Sequence, residues 1–462
     1  MAYATVNPYT GETLKTFATA SKEEVLGAID QAYTTFLAWK ETSFEQRAAI
    51  LNKAASILRN ETDKYAKYLT LEMGKLFTEA KLETILSAEI LEYYAKHAEK
   101  LLAPEQLPTD AQGVEATLYH EPQGVLLAVE PWNFPFYQIA RIIAPQLSAG
   151  NTILLKHASN VPQSANVFEE LMLEAGLPQG AFKNLYLAHE HTAVILNDRR
   201  VCGVALTGSE AAGAIVAAEA GKALKKSTLE LGGADAFVVL EDADLQKTVD
   251  WAVMGRHWNA GQVCVSSKRL IVVDAIYDQF LALYKEGVAK LKAGDPMDPE
   301  TTLAPLSSQK AADDLKKQVE QAIAAGAEVE VIGAPVPEQG AFFQPLLMTN
   351  LHENNEARHW EFFGPVTQLY RAKDEADAIR IANDTPFGLG GSVFTQDHAR
   401  GVEVAKQIYT GMVFINHPTM VKADLPFGGV AHSGYGRELI GLGIKEFVNH
   451  KLVGVAEIDA PF

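Results

Sequence analysis

Apolar positions recur at helical intervals in the first part of the chain. Ser21 and Glu24 have the spacing of a capping box, and apolar side chains follow every three or four positions over residues 25–36. Helical patterns continue over residues 44–102 with few helix-breaking residues. The pattern changes to one typical of strands over residues 117–129, with a turn at residues 121–124. We therefore predict a helical N-terminal region that leads into a β segment.

Strand and helix patterns alternate in the next part of the chain. The predicted strands are GVLLAVEP, NTILLKHAS, FKNLYLA, VCGVALTG and KSTLELGG, and the helices between them are FPFYQIARIIAPQLSAG, VFEELMLEAG, HTAVILND and SEAAGAIVAAEAGKAL. This alternation predicts a parallel sheet with helices on both faces, and such sheets bind ligands at the carboxyl ends of their strands. A second alternating run extends from AFVVLEDADL to GMVFIN and predicts a second α/β domain.

Length, composition and charge narrow the class of protein. A chain of 462 residues is too long for one ordinary core, so we expect two or more domains. We see no apolar run of membrane-spanning length and no secretory signal, and two cysteines suit a reducing cytoplasm. The net charge of −18 disfavours general nucleic-acid binding, which needs concentrated Lys and Arg. We expect a cytoplasmic protein that binds neither membranes nor nucleic acid.

Three side chains are candidates for chemistry because of the segments around them. Cys264 lies among small and polar residues in GQVCVSSKR, where a thiolate nucleophile is one interpretation and a small buried hydrophobe, as expected for Cys202, is the other. Glu230 follows a strand and precedes two glycines; it is interpreted either as a general base or as a surface glutamate. Asn133 lies at a strand-to-helix turn; it is interpreted either as a hydrogen-bond donor to an oxyanion or as a helix cap.

One glycine-containing junction is a candidate anion site. The fingerprints G-x-G-x-x-G after a strand and G-x-x-x-x-G-K-[ST] are absent from the sequence. LTGSEAAG, residues 206–213, joins a predicted strand to a helix, where glycine permits close approach and the first N–H groups of the helix attract an anion. The alternative is an ordinary helix capped by serine.

Seven separated segments together resemble the NAD(P)-dependent aldehyde dehydrogenase superfamily. They are PWNFPF, GNTILLKHAS, LTGSEAAG, LELGGADAFVVLEDADL, GQVC, EFFGPV and PFGGVAHSGYGREL. They occur in order over nearly the whole chain, and LLKHASN, ALKKSTLELGGADAFVVL and GQVCVSSKR are most similar to the succinate-semialdehyde dehydrogenase branch. The resemblance implies an α/β fold with a Rossmann-like cofactor domain (residues 1–106 and 126–232), an α/β catalytic domain (233–438) and a small β oligomerisation arm (107–125 and 439–462).

The resemblance also implies a reaction that needs no metal. Cys264 would add to the aldehyde carbonyl to give a thiohemiacetal, whose oxyanion the side chain of Asn133 and the backbone N–H of Cys264 would hold. Loss of hydride to the nicotinamide would leave a thioester, and Glu230 would activate the water that hydrolyses it. The product would be a carboxylic acid.

The resemblance assigns a further set of residues to the cofactor. They are Trp132, Lys156, Ser159, Gly208, Ser209, Glu361 and Phe363. Lys156 would reach the adenosine ribose, Ser209 the pyrophosphate and Glu361 the nicotinamide ribose, with Phe363 beside the ring. NAD-preferring relatives usually carry Glu at the position of Ser159, where a carboxylate would repel a 2′-phosphate. We therefore expect NADP, with NAD as the alternative.

The expected substrate rests on two polar residues of one helix. Gln138 and Arg141 are three positions apart and share a helix face, which in the family lines the aldehyde tunnel. We expect Arg141, assisted by Gln138, to bind the distal carboxylate of succinate semialdehyde; the alternative is an arginine paired with an acid of the protein. Ser267 is a further candidate, although the sequence does not say whether Ser266 or Ser267 points inward.

Other functions stay open at this point. Glutarate semialdehyde or a phosphorylated aldehyde would suit the same chemistry, whereas a non-enzymatic binding protein would not need Cys264, Glu230 and Asn133 together. Because an isolated hairpin is only marginally stable, the arm is expected to pair with another subunit in a homodimer or homotetramer.

Overall fold

The structure, a computed structural model, describes residues 3–460, and its first part is a hairpin followed by a helical layer. The elements are β1 (Tyr3–Val6), β2 (Thr13–Phe17), α1 (Lys22–Trp39), α2 (Phe44–Asn60), α3 (Thr62–Met73) and α4 (Phe77–Leu101). The predicted capping box is confirmed: the Ser21 hydroxyl accepts from the Glu24 N–H, and the Glu24 side chain accepts from the Ser21 N–H. The hairpin is absent from the sequence-based prediction.

The predicted parallel α/β unit follows two strands of the arm. The elements are β3 (Glu105–Leu107), β4 (Val114–Pro122), β5 (Val125–Glu130), α5 (Pro135–Ala149), β6 (Thr152–His157), α6 (Pro162–Glu174), β7 (Phe182–Asn184), α7 (His189–Asn197), β8 (Val201–Thr207), α8 (Glu210–Lys222) and β9 (Lys226–Glu230). The strands pair in parallel in the order β9-β8-β5-β6-β7. The order of connection reverses between β5 and β8, and this reversal marks the place where such sheets bind ligands.

The predicted second α/β unit is also present. Its elements are β10 (Ala236–Val239), α9 (Leu245–His257), β11 (Arg269–Val273), α10 (Tyr277–Ala289), α11 (Gln309–Ala324), β12 (Glu328–Val331), β13 (Leu346–Thr349), β14 (Val366–Ala372), α12 (Glu375–Asn383), β15 (Phe387–Gly388), β16 (Gly391–Phe394), α13 (His398–Ala405) and β17 (Phe414–Ile415). The sheet order is β12-β13-β14-β11-β10-β16-β17, and β12 is antiparallel to β13. The predicted α/β class is confirmed.

The last elements return the chain to the first sheet and to the arm. They are β18 (Val430–Ala431), β19 (Gly434–Tyr435), α14 (Ile440–Ile444) and β20 (Val448–Ala456). β19 pairs with β9, and β20 pairs antiparallel with β4 along its whole length, with β3 on the other side of β4. The predicted domain boundaries stay a prediction; β3 begins before the predicted start of the arm at residue 107, and β19 joins the sheet of the first unit.

Helix α5 is the central buried element of the first unit. Every one of its residues is buried, and it packs between α4 and the first sheet. Buried polar side chains on such a helix need partners inside the protein, and this requirement governs Gln138 and Arg141. In residues 3–460 no helix is long and apolar enough to cross a membrane.

Candidate active site

Cys264 lies in a tight turn that follows a strained backbone segment. Asn259 and Ala260 have φ values of 51° and 54°, a left-handed conformation uncommon outside glycine, and the chain then turns so that the Ser266 N–H donates to the Val263 carbonyl at 3.1 Å. The buried Lys268 ammonium donates to the carbonyl oxygens of Val263 and Cys264 at 2.6 and 2.8 Å. The turn that presents Cys264 is therefore held by its own backbone and by a lysine four residues later.

A buried arginine connects this turn to a second loop. Arg256, fully buried in α9, donates to the Ser266 hydroxyl at 2.7 Å and to the carbonyl oxygens of Phe362 and Val366. Its hydrogen-bond acceptors are neutral, and burial lowers its pKa to about 10. Arg256 thus fixes the nucleophile turn relative to the EFFGPV segment, residues 361–366.

A cavity of about 250 Å³ opens beside Cys264. Its apolar lining consists of Leu82, Leu86, Phe134, Tyr137, Met254, Trp258, Val263, Val265, Pro418, Met420, Val421 and Phe427. Among the polar residues at its wall are Gln138 and Ser266. Burial raises the pKa of the Cys264 thiol to about 12, while Lys268 and Arg141 act in the opposite direction. Cys264 therefore borders a small space whose wall is mostly apolar.

The Asn133 side chain is brought to the nucleophile segment. Its amide nitrogen donates to the Gln262 carbonyl at 3.1 Å, and the Asn259 amide donates to the Asn133 carbonyl at 3.0 Å. A side-chain amide has two N–H donors, so one hydrogen bond to Gln262 leaves a second donor for an oxyanion near Cys264. The simple helix-cap alternative is not what the structure shows, because the Asn133 side chain makes no capping hydrogen bond to α5.

Two glutamates of α4 hold both halves of this arrangement in place. Glu79 accepts from the Asn259 N–H at 2.9 Å, and Glu83 accepts from the Phe136 N–H at 2.8 Å in the first turn of α5. Glu83 is also paired with Lys75, and both side chains are buried. One helix thereby sets the position of the nucleophile segment and of the helix that follows Asn133.

We expect Glu79→Ala to reduce kcat roughly tenfold with a smaller change in KM, because a misplaced nucleophile costs rate rather than binding. The buried Asn259 N–H would lose its acceptor, at a cost of about 1–3 kcal/mol in the free energy of unfolding. Steady-state kinetics and thermal unfolding check both effects. Glu79→Gln keeps an oxygen for Asn259 and should restore most of kcat; equal losses in the two variants would contradict a positioning role.

Glu230 lies at the end of β9 in a cluster of buried carboxyl groups. Both of its carboxyl oxygens are buried and have no hydrogen-bond partner among the described residues, and one lies against Gly428. Burial raises the pKa of Glu230 well above its usual value; Glu438 adds to this effect and Arg141 opposes it. Glu130 is buried in the same cluster with its pKa raised for the same reason. Glu230 is not a surface glutamate, and it lies outside the wall of the cavity.

Arg141 has the protein partner that the sequence left as an alternative. Its Nε pairs with Glu438, and its terminal nitrogens donate to the Tyr137 hydroxyl at 3.0 Å, to the Gln138 side-chain oxygen at 2.6 Å and to the Thr207 hydroxyl at 2.8 Å. These contacts use most of its donors, because a guanidinium carries five N–H groups. Arg141 is paired with Glu438 and does not border the cavity, so the expected direct contact between Arg141 and the substrate carboxylate is corrected.

Ser266, rather than Ser267, borders the cavity. The Ser266 hydroxyl donates to the Gly255 carbonyl at 3.0 Å and accepts from Arg256, so it is committed to the turn. The Ser267 hydroxyl lies close to Gly255, where a Cβ would be 2.7 Å away. Ser267 does not border the cavity, so the prediction of Ser267 as a substrate ligand is corrected.

Predicted cofactor residues lie at the carboxyl ends of β6 and β8. Lys156 is half-buried, and burial alone lowers its pKa, since no charged group acts on it. The Ser209 hydroxyl accepts from the Ala212 N–H and caps α8, and the Gly208 N–H donates to the Glu230 carbonyl at 3.0 Å. A half-buried ammonium and a helix N-terminus at one sheet edge suit a phosphate-bearing ligand. Ser159 follows Lys156 by three positions.

The remaining cofactor residues meet on the other side of the nucleophile turn. Glu361 accepts from the Gly233 N–H at 3.0 Å and pairs with Lys268 at 3.1 Å. Phe363 packs edge-on against Trp132 with ring centroids 5.7 Å apart. The structure thus brings Glu361, Phe363 and Trp132 to the segment that carries Cys264, as a dinucleotide reaching the sulfur would require.

Several positioning residues escape sequence reasoning. Glu79, Glu83 and Arg256 each have at least one partner that is more than fifty positions away, and their helical patterns look ordinary. Lys268 gave a weak signal in the sequence for a positioning role. It is a basic residue between the Cys264 segment and the buried strand that begins at Arg269, where an apolar residue would be more usual.

Cys264 thus lies in a turn held by hydrogen bonds, with the Asn133 amide at its segment, beside a sheet of parallel strands covered by helices. The chain belongs to the aldehyde dehydrogenase family, whose sequence profile matches residues 1–453.

Similar proteins agree with this family over nearly the full length. The chain is 49% identical to a succinate-semialdehyde dehydrogenase of Deinococcus radiodurans, named with NADP(+), over 98% of this chain and 94% of that protein. It is 46% identical to a protein of the same name from Mycobacterium avium, over 98% and 97%. A crystal structure of succinic semialdehyde dehydrogenase from Streptococcus pyogenes in complex with NADP+ superposes with a TM-score of 0.96 at 46% identity, over 99% of this chain and 100% of that one.

Proposed function

We propose that this chain oxidises succinate semialdehyde to succinate with NADP. The observation that carries the proposal is the placement of Cys264, with the Asn133 amide at its segment, at a closely lined cavity of about 250 Å³. Relatives named for this substrate and for NADP(+) support it at 45–49% identity. A panel of succinate semialdehyde, glutarate semialdehyde, a phosphorylated aldehyde and butanal tests it, and kcat/KM with NADP should be highest for succinate semialdehyde.

The residues of the chain divide the reaction into two steps. Cys264 adds to the aldehyde carbon, and the side chain of Asn133 with the Cys264 N–H stabilises the oxyanion that forms. NADP, when bound, would supply the hydride acceptor for that carbon, with Glu361 holding its nicotinamide ribose and Phe363 beside its ring. Glu230 then removes a proton from the water that attacks the Cys264 thioester, and succinate leaves as the thiol is restored. Glu230 has to rotate away from Gly428 to reach this water.

Arg141 contributes to carboxylate binding from behind the cavity wall. Its guanidinium lies 4.9 and 4.8 Å from the ring centroids of Tyr137 and Phe427, and both rings border the cavity. The Gln138 oxygen accepts from Arg141, which leaves the Gln138 NH₂ group to donate to a carboxylate in the cavity. We assign to Gln138 the direct contact with the carboxylate and to Arg141 the hydrogen bond that orients the Gln138 amide.

We expect Gln138→Leu to raise KM for succinate semialdehyde about tenfold or more, because a hydrogen bond to a charged group contributes about 1.5–3 kcal/mol. KM for butanal, which lacks the carboxylate, should stay the same. Kinetics with both aldehydes check this result, and an equal rise for butanal would contradict the contact. Arg141→Ala is a poorer test, because unpairing the buried Glu438 would cost about 3–5 kcal/mol of stability.

Cofactor preference is assigned to the position three residues after Lys156. We expect Ser159→Glu to lower kcat/KM for NADP by at least tenfold and to spare or improve NAD, because a carboxylate there repels the 2′-phosphate. Kinetics with both cofactors measure the change, and Ser159→Gln, of the same size without charge, is the control. A Gln variant that loses NADP as strongly as the Glu variant would point to shape instead of charge.

The arm supports assembly into a homodimer or homotetramer. Leu452 and Val455 on β20 are 62% and 64% exposed, an arrangement typical of a strand that pairs or packs with another subunit. Both cysteines are free thiols, as a reducing compartment would keep them, and we propose the cytoplasm as that compartment.

A further inference from the structure

Arg47 in α2 is a buried cation with two unpartnered nitrogens among the described residues. It is 5% exposed, and its Nε and Nη1 atoms are fully buried with no hydrogen-bond partner anywhere in residues 3–460. Its guanidinium lies 4.6 Å from the centroid of the Phe44 ring, which is its one charge-stabilising contact in the described chain. Leaving a buried guanidinium without an acceptor is costly, so the position calls for an anion.

A cavity of about 90 Å³ lies at this guanidinium. Ser148, from the last turn of α5, also borders it, and the buried Ser148 hydroxyl has no partner in the described part of the chain. Gly150 closes the back of the guanidinium, since a Cβ at that position would be 3.0 Å from Arg47 Nη1. The cavity shares no lining residue with the one at Cys264.

We propose that this cavity is a binding site for a single carboxylate, held by Arg47 and Ser148. A guanidinium and a hydroxyl are donors that a carboxylate accepts from, and Nη2 is the one guanidinium nitrogen that is not fully buried in the described chain. The volume of about 90 Å³ is well above the roughly 10–15 Å³ that one water needs on the same measure, so a small carboxylate has room there. The proposal does not depend on the substrate assigned to Cys264.

The protein's own acids do not fill the site. Glu45 and Glu99 border the cavity at its exposed rim, and neither forms an ion pair with Arg47. The tail runs away from it: in the β4–β20 pair, Val448 is opposite Pro122 near Gly150, and Ala456 is opposite Val114. At about 3.3 Å per residue, Ala456 is roughly 25 Å farther along. The carboxylate therefore comes from solution or from an acidic side chain of a second copy.

Thermal unfolding of the assembled enzyme in sodium acetate tests the proposal, with sodium chloride at equal ionic strength as the reference. We expect acetate to raise Tm saturably by several degrees in the wild-type enzyme. Arg47→Met, which keeps the length and apolar stem of the side chain, should lose this rise. Arg59→Met is the matched control on the same helix, because Arg59 is exposed and paired with Glu92 at 2.7 Å; it should keep the rise. Ser148→Ala should weaken the acetate response several-fold. This variant tests the same site if Arg47→Met does not fold.

The acetate effect on Tm, together with the size of the assembly measured by sedimentation of the same proteins, distinguishes the two sources of the carboxylate. A saturable acetate effect that disappears in Arg47→Met identifies a free carboxylate as the ligand. No acetate effect, together with a smaller assembly for Arg47→Met, supports the site and identifies a carboxylate of a second copy. Equal acetate shifts in wild type and Arg47→Met, or no shift with unchanged assembly, would overturn the proposal. A loss of stability in Glu99→Gln without any acetate effect would also overturn it, because Glu99 would then be the partner.

Discussion

Replacing Cys264 with serine is expected to lower kcat/KM for succinate semialdehyde on the order of 10⁴-fold or more. The hydroxyl occupies the same turn, but it is a far weaker nucleophile than a thiolate and has no adjacent base. The turn rests on Lys268 and on backbone hydrogen bonds that serine leaves intact, so Tm should change little. Cofactor reduction followed by absorbance, together with a thermal melt, separates lost chemistry from lost structure.

The other cysteine is the matched control for this variant. Cys202 lies in the buried strand β8 and does not border the cavity. Cys202→Ala should therefore keep kcat/KM near the wild-type value. Retained activity in Cys264→Ser, or equal losses in the two variants, would remove Cys264 from the reaction.

Replacing Glu230 with glutamine is expected to lower kcat by roughly 10²–10⁴-fold while sparing the first turnover, because the base acts only on the thioester. Rapid mixing with excess substrate should show a burst of reduced cofactor close to one per active site, followed by slow turnover. Slow cofactor reduction without a burst would show that Glu230 acts before the thioester forms.

The pH dependence of kcat tests the same assignment of Glu230 as the general base. Burial raises the pKa of Glu230, and the base works as a carboxylate, so wild-type kcat should fall as the pH drops through that raised pKa. Glu230→Gln removes the group that titrates and should lack this limb of the profile. An unchanged acidic limb in the variant would assign it to another group.

The parallel sheets were predictable because strands buried on both faces appear as continuous apolar runs between helical patterns. The β5 and β6 segments are almost wholly buried and show this pattern clearly. β1 and β2 were missed because both are short and β2 is almost wholly exposed. Nothing in their apolar pattern distinguishes them from a loop.

The candidate site was predictable only in part. Cys264, Glu230 and Asn133 occupy distinctive local segments, whereas the partner of Arg141 is Glu438, which is remote in sequence and meets it only after β19 returns to the first sheet. The unpaired arginine was therefore an expectation that only tertiary structure could correct. The choice between Ser266 and Ser267 likewise depended on how one turn is directed.

The mass of the Glu230→Gln enzyme after a single turnover is the most direct test of the proposed chemistry. The protein is mixed with succinate semialdehyde and NADP, quenched in acid and digested. The proposed chemistry predicts a gain in mass equal to one succinyl group on the peptide that contains Cys264, in proportion to the cofactor reduced. Reduced cofactor with no adduct on that peptide, or an adduct on another residue, would contradict it.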